Sequence, residues 1–289
     1  MDRIYRIEGA MLGWLISRPI PSKRRPYFGD IFGAIRDGVI EKRSKARDAA
    51  ALTTWWKLWR ARHELREKVQ NLTRYILTPR VSKHRFFVWA DKTTLPDDAT
   101  VAIARDDDTT FGVLQSRFHE AWSLRLGTWL GVGNDPRYTP TTTFETFPFP
   151  DGLSPNLPAT SYANSPHSQA IARSAKRLDE LRNAWLNPLD LVIVEPEVVP
   201  GYPDRILPKD EPAAAELKKR TLTNLYNQQP QWLVDAHREL DGAVAAAYAW
   251  PSSISQEDAL AKLLDLNLAR AGPHASKPEP ESENSADED

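Results

Sequence analysis

The 289-residue chain contains no cysteine. That absence excludes a disulfide scaffold and any thiolate metal site, and it fits a reducing cytoplasm. Long apolar runs are missing too: none reaches the roughly 18 residues that a membrane span needs. The patch "MLGWLI" from Met11 to Ile16 lacks both the length and the small-residue cleavage site of a targeting signal. A soluble cytoplasmic protein with no membrane partner is expected.

Motifs for chemistry are equally scarce. The six histidines, His63, His84, His119, His167, His237 and His274, show no zinc spacing, and there is no Gly-x-Ser-x-Gly elbow. "GVG" at Gly131 to Gly133 lacks the strand-turn-helix setting of a nucleotide loop. "NDPRY" at Asn134 to Tyr138 imitates a base-flipping loop, but Arg137 stands where the second Pro belongs. "RDDD" at Arg105 to Asp108 reads as a helix cap with solvated acids in preference to a Mg²⁺ site. Asp210, Glu216 and Lys218 follow the order of a metal-dependent nuclease, yet two residues apart on a helix Glu216 and Lys218 face different sides. No catalytic, cofactor-binding or metal-binding residue is therefore assigned.

What the chain does have is a charge gradient hidden under a formal net charge of −1. Residues 1–90 hold twenty Lys and Arg against eight Asp and Glu, whereas residues 273–289 hold one against six. A segregated basic region concentrates its field locally, and local field matters more for a polyanion than net charge does. The plain alternative is a solvated basic face.

Taken in order, residues 1–44 are basic and broken by Pro and Gly, with a short helix expected near Asp30 to Arg36 and a phosphate-binding arm or a solvated loop at "PSKRRP". From 45 to 72 apolar residues including Trp55, Trp56 and Trp59 recur at helical spacing, the pattern of a core-facing stripe. Strands are expected at Tyr75–Thr78, Arg85–Trp89 and Thr100–Ala104, then one helix capped by Asp108 or Thr109 and running to Leu126. "RYTPTTTFETFPFP" at Arg137 to Pro150 reads as a fixed, extended wall. The Pro- and Ser-rich 151–165 stretch is a linker. Helices follow at Pro166–Leu186, from Pro212 to before Pro230, from Gln231 to Pro251, and from a Ser255/Asp258 capping pair to Gly272. Residues 273–289 are acidic, Pro- and Ser-rich, and expected to be disordered. The fold class is α+β: a small mixed α/β domain at 45–150, a helical domain at 166–272, and the tail.

"LTPRVSKHRFFVW" from Leu77, "IARDDDTTFGVLQSRFHEAWSLRLG" from Ile103 and "DPRYTPTTTFETFPFP" from Asp135, in this order, resemble the target-recognition region of MmeI-like (Type IIL/IIG) restriction-modification enzymes. The resemblance runs from near Trp55 to Pro150 and more loosely to Gly272. Such enzymes join a nuclease, an adenine-specific DNA methyltransferase and a recognition domain. The resemblance implies sequence-specific binding of double-stranded DNA. It also implies S-adenosylmethionine on a catalytic portion absent from this chain, so that the chain is a separately encoded subunit or a truncated product working with a methyltransferase chain. Loops on a rigid frame that present cations address phosphates and guanine edges. The candidates for DNA contact are accordingly Arg80, Ser82, Lys83, His84 and Arg85, then Arg105, Arg117, Arg125 and Arg137, with hydroxyls from Thr141, Thr142 and Thr143. Arg105 has an alternative in pairing with its neighbouring aspartates. A protein-binding scaffold, with the helical half as its working surface and the basic region contacting acidic partners, is the competing reading.

Overall fold

The computed structural model describes residue 33 and residues 36–41, 63–130, 135–198 and 201–271. Contacts divide the chain into two units, Met1–Arg66 and Glu67–Asp289. In the first, residues 36–41 are helical and Arg36 Nε lies 2.7 Å from Asp37 on an exposed surface. The arm at Pro21–Pro26, the tryptophan stripe of 45–62 and the tail at 273–289 lie outside the described residues. Helix α1 (His63–Val69) leads into the second unit.

A three-stranded antiparallel sheet opens the second unit, with β1 (Arg74–Pro79) between β2 (Val88–Asp91) and β3 (Thr100–Ile103). Ile76 of β1 stands opposite Trp89 on one side and Ile103 on the other, which places the branched and aromatic side chains that favour a pleated surface in register. Helices α2 (Asp108–Gln115) and α3 (Arg117–Leu126) follow, where the sequence suggested one continuous helix. The break is Ser116, whose extended backbone (φ −72°, ψ 154°) is held by its own hydroxyl donating to the Val113 carbonyl at 2.7 Å. The cap of α2 is Asp107, one residue earlier than expected; its carboxylate accepts from the Thr110 N–H at 2.8 Å.

The helical part is α5 (Pro166–Leu186), α6 (Glu211–Leu217), α7 (Leu222–Gln228), α8 (Gln231–Ala247) and α9 (Gln256–Ala271), preceded by the short α4 (Pro140–Thr143). Helix α5 begins and ends where its sequence pattern placed it, and buries Ile171, Ala175 and Leu178 against α2 and α8. Close approach is possible because Gly112 carries no side chain: a Cβ there would stand 2.6 Å from Ile171 Cγ2. The segment expected as one helix after Pro212 is split between Lys218 and Thr221, and Thr221 caps the second piece. Between α5 and α6 lies an antiparallel ribbon of β6 (Val192–Glu195) and β7 (Arg205–Pro208).

One apolar core runs through both parts, from Ile76, Phe87 and Phe111 to Leu178, Leu240 and Leu263. The 151–165 stretch contributes Leu153 and Tyr162 to that core, so it crosses the surface of a shared interior and does not tether two separate ones. Among the described residues no helix is long and apolar enough to cross a membrane.

Candidate nucleic-acid interface

The loop that follows β1 is the region the sequence singled out. Proline at 79 has no N–H to extend the ladder. After it, Arg80 N–H reaches the Ala99 carbonyl at 2.8 Å while the Arg80 carbonyl accepts from Tyr138 N–H at 2.7 Å. The chain thereby changes partners: Val81 forms an isolated antiparallel bridge with Arg137, and Arg137 is paired on its other side with Thr128. Strands β4 (Thr128–Leu130) and β5 (Asp135–Arg137) form a hairpin, so the loop joins it as a third extended segment. Gly127 permits this geometry at the end of α3, since a Cβ there would lie 2.8 Å from the Arg137 carbonyl oxygen.

Directly paired residues share a face. Val81, Arg137 and Thr128 are all exposed and form one row, with Lys83, Trp129 and Leu130 exposed on the same segments and Arg125 exposed in the last turn of α3 just before β4. Arg125 and Arg137 make no ion pair or side-chain hydrogen bond among the described residues. Arg80 is half-buried and donates to the Asp98 carbonyl at 3.0 Å. Ser82 is half-buried, its N–H 3.5 Å from the Pro136 carbonyl. Thr141 and Thr142 are exposed at the start of α4.

Lys83 and His84 turn toward the helical part. Lys83 Nζ and His84 Nε2 lie 2.7 and 2.9 Å from Asn227 Oδ1 of α7, an acceptor, so Nε2 carries the imidazole proton. His84 also lies 6.0 Å from the Tyr226 ring. The C-terminal helices thus hold the loop from beneath while its outer side stays open.

Four candidates point inward. The Arg85 guanidinium donates to Thr78 Oγ1 at 3.0 Å and to the Pro79 and Pro136 carbonyls, and lies 4.9 Å from the centre of the Tyr138 ring. Burial lowers its pKa to about 10. Arg105 binds Asp107, the Pro155 and Leu157 carbonyls and the Tyr162 hydroxyl. Arg117 joins α3 to the carbonyl of Ile254 at 2.8 Å and sits 4.0 Å from Asp241. Thr143 is fully buried, its hydroxyl donating to the Thr139 carbonyl at 2.8 Å. Each donates to the chain's own carbonyls, hydroxyls or carboxylates, and the sequence, silent on side-chain direction, grouped them with the exposed residues.

The hairpin was the part that sequence reading missed. "TWLGVGNDPR" carries turn-forming Gly, Asn and Asp between β-forming residues, a hairpin signal that its likeness to enzyme loops obscured. It adds the exposed apolar pair Trp129 and Leu130 to the surface.

Comparison with known proteins places this geometry. Residues 32–151 match the family model described as MmeI, target recognition domain. The chain shares a fold with the Type IIL restriction-modification enzyme MmeI, solved in complex with DNA, at 21% identity and a TM-score of 0.57; the match covers 83% of this chain and 26% of that one. No curated protein matches the chain. Residues 32–151 are thus similar to the MmeI target recognition domain, and the chain shares the fold of about a quarter of a Type IIL restriction-modification enzyme.

Proposed function

We propose that this chain reads a specific sequence in duplex DNA as the specificity portion of a restriction-modification system, and that the chemistry it directs is adenine N6 methylation by a methyltransferase chain carrying S-adenosylmethionine. The observation that carries the reading is the Val81–Arg137 bridge. It joins the basic loop to the β4–β5 hairpin as one exposed, cation-bearing ribbon within the region that matches the target-recognition family model. A two- or three-stranded ribbon has the dimensions to enter a major groove, where arginine donates two hydrogen bonds to guanine and an apolar side chain meets a thymine methyl. Arg80 and Arg137 are suited to base edges, Lys83 and Arg125 to phosphates, and Ser82, Thr141 and Thr142 to either. His84, bound to Asn227, orients the loop. The work of such a chain is cytoplasmic.

The exposed apolar residues of the β6–β7 ribbon, with Val194 60% and Ile206 50% accessible, favour a second reading as a protein-binding scaffold. A salt series on a labelled duplex separates the two. Duplex binding in the presence of competitor DNA that weakens linearly in log–log form, with a slope set by the number of phosphates contacted, supports the first reading. Absence of duplex binding at moderate salt supports the second. Methylation of adenine N6 by whatever chain co-purifies tests the partner.

A further inference from the structure

Arg85 is a buried cation without an ion pair among the described residues, and its Nε has no hydrogen-bond partner. Taking a guanidinium out of water is costly, and hydrogen bonds to neutral carbonyls offset only part of that cost. Its donors span two elements: Nη1 serves Thr78 and Pro79 at the root of the loop, and Nη2 serves the Pro136 carbonyl of β5 at 3.3 Å. The same guanidinium faces the ring of Tyr138, whose N–H binds Arg80 and whose hydroxyl lies 2.9 Å from buried His119 Nε2. The planar fork thus lies beneath the junction that the Val81–Arg137 bridge makes at the surface.

Resting on the proposed reading of duplex DNA, we infer that Arg85 is a positioning residue: it fixes the basic loop relative to the β4–β5 hairpin, so discrimination by Arg80 and Arg137 depends on it although it touches no base. A cation serving mainly as a weld needs its planar geometry, and lysine does not reproduce a fork that reaches three acceptors.

The test compares wild type with Arg85→Met, Arg85→Lys and the milder Thr78→Val. Without DNA, amide hydrogen exchange at Ser82 and Tyr138 is expected to quicken at least tenfold in both Arg85 variants and a few-fold in Thr78→Val, with α5 and α8 protection unchanged. Unchanged exchange at Ser82 and Tyr138 in all three, or uniform loss of protection across the fold, overturns the weld. On duplexes selected by wild type, both Arg85 variants are expected to lose at least tenfold in preference, spread over the base pairs that Arg80→Ala and Arg137→Ala each weaken, while affinity for unrelated duplex stays within twofold. Loss confined to one base pair makes Arg85 a direct reader and overturns the inference. Selection of no sequence by wild type refutes the DNA reading and the claim about discrimination, while the exchange data still judge the weld.

Discussion

Arg182, only 1% exposed near the C-terminal end of α5, donates from Nη2 to the carbonyl of Phe87 at 3.0 Å, at the point where the loop re-enters the sheet as β2. The same guanidinium reaches Asp179 at 3.1 Å and the Tyr226 hydroxyl at 3.4 Å. One side chain therefore ties the helical part to the strand that frames the candidate interface. Replacement by Met leaves the Phe87 carbonyl without that donor and strips Asp179 of its cation. The expected loss is about 3 kcal/mol of unfolding free energy, read from urea denaturation. An unchanged urea midpoint contradicts this assignment.

The contact between α2 and α5 predicts a different kind of defect. A methyl at position 112 would stand 2.6 Å from Ile171 Cγ2 and 2.9 Å from Ala175 Cβ. Gly112→Ala is expected to destabilise by about 1–3 kcal/mol through overpacking, despite the better helix propensity of Ala. Ile171→Leu, which lacks Cγ2, should recover part of that loss in the double variant, as a thermal-unfolding cycle would show.

Asp107 combines a cap and an ion pair. Its Oδ1 accepts from Thr110 N–H and from the Tyr162 hydroxyl at 3.1 Å, and its other oxygen meets Arg105 Nε at 2.9 Å. Asp107→Ala removes all three interactions and is expected to cost about 2 kcal/mol or more, whereas Asp107→Asn keeps the cap and costs less. Equal losses in guanidinium melts would show that the cap contributes little.

Acid should be sensed by buried imidazoles. Burial lowers His119 to about 3 and His237 to about 4, with the charges of Arg85 and Arg182 acting in the same direction. Unfolded histidine titrates near 6.5. Below that value the unfolded chain takes up protons that the folded chain refuses, so each histidine lowers stability as pH falls, by up to about 1.4 kcal/mol per unit. Asp241, raised to about 6 by burial, works oppositely between about 6 and 3.9, because there the folded chain takes the proton. Asp108 and Glu120 are shifted in that same sense. The clean readout is His237→Gln, whose side chain still reaches the Tyr226 hydroxyl now 3.0 Å from His237. Its stability relative to wild type should rise steadily from pH 6.5 toward 4, and a constant difference across that range would refute the burial argument.

Much of this architecture was legible in the residues themselves. The i, i+4, i+7 spacing of Ile171, Ala175 and Leu178 marked the buried face of α5, and the Ser255/Asp258 pair marked the start of α9, where Asp258 N–H binds Ser255 Oγ at 3.0 Å. Those signals are local. What escaped, the locally signalled hairpin aside, depends on partners far away in the chain: the loop after β1 becomes a third extended segment because Val81 meets Arg137. The inward turn of Arg85 depends on a carbonyl 51 residues away, and that of Arg117 on one 137 residues away. Periodicity cannot report such contacts. The loop was found, but which of its cations face outward was set by tertiary hydrogen bonding.

The central claim is that the ribbon built from Val81, Arg137 and Thr128 reads DNA sequence. Selection from a randomised duplex pool at moderate salt, with unrelated competitor DNA present, tests it most directly. The account predicts enrichment of a defined word by wild type, with Arg137→Ala relaxing preference at one base pair and Lys83→Ala weakening all duplexes alike. A pool that emerges unenriched, or equal losses on every sequence for both variants, would contradict it.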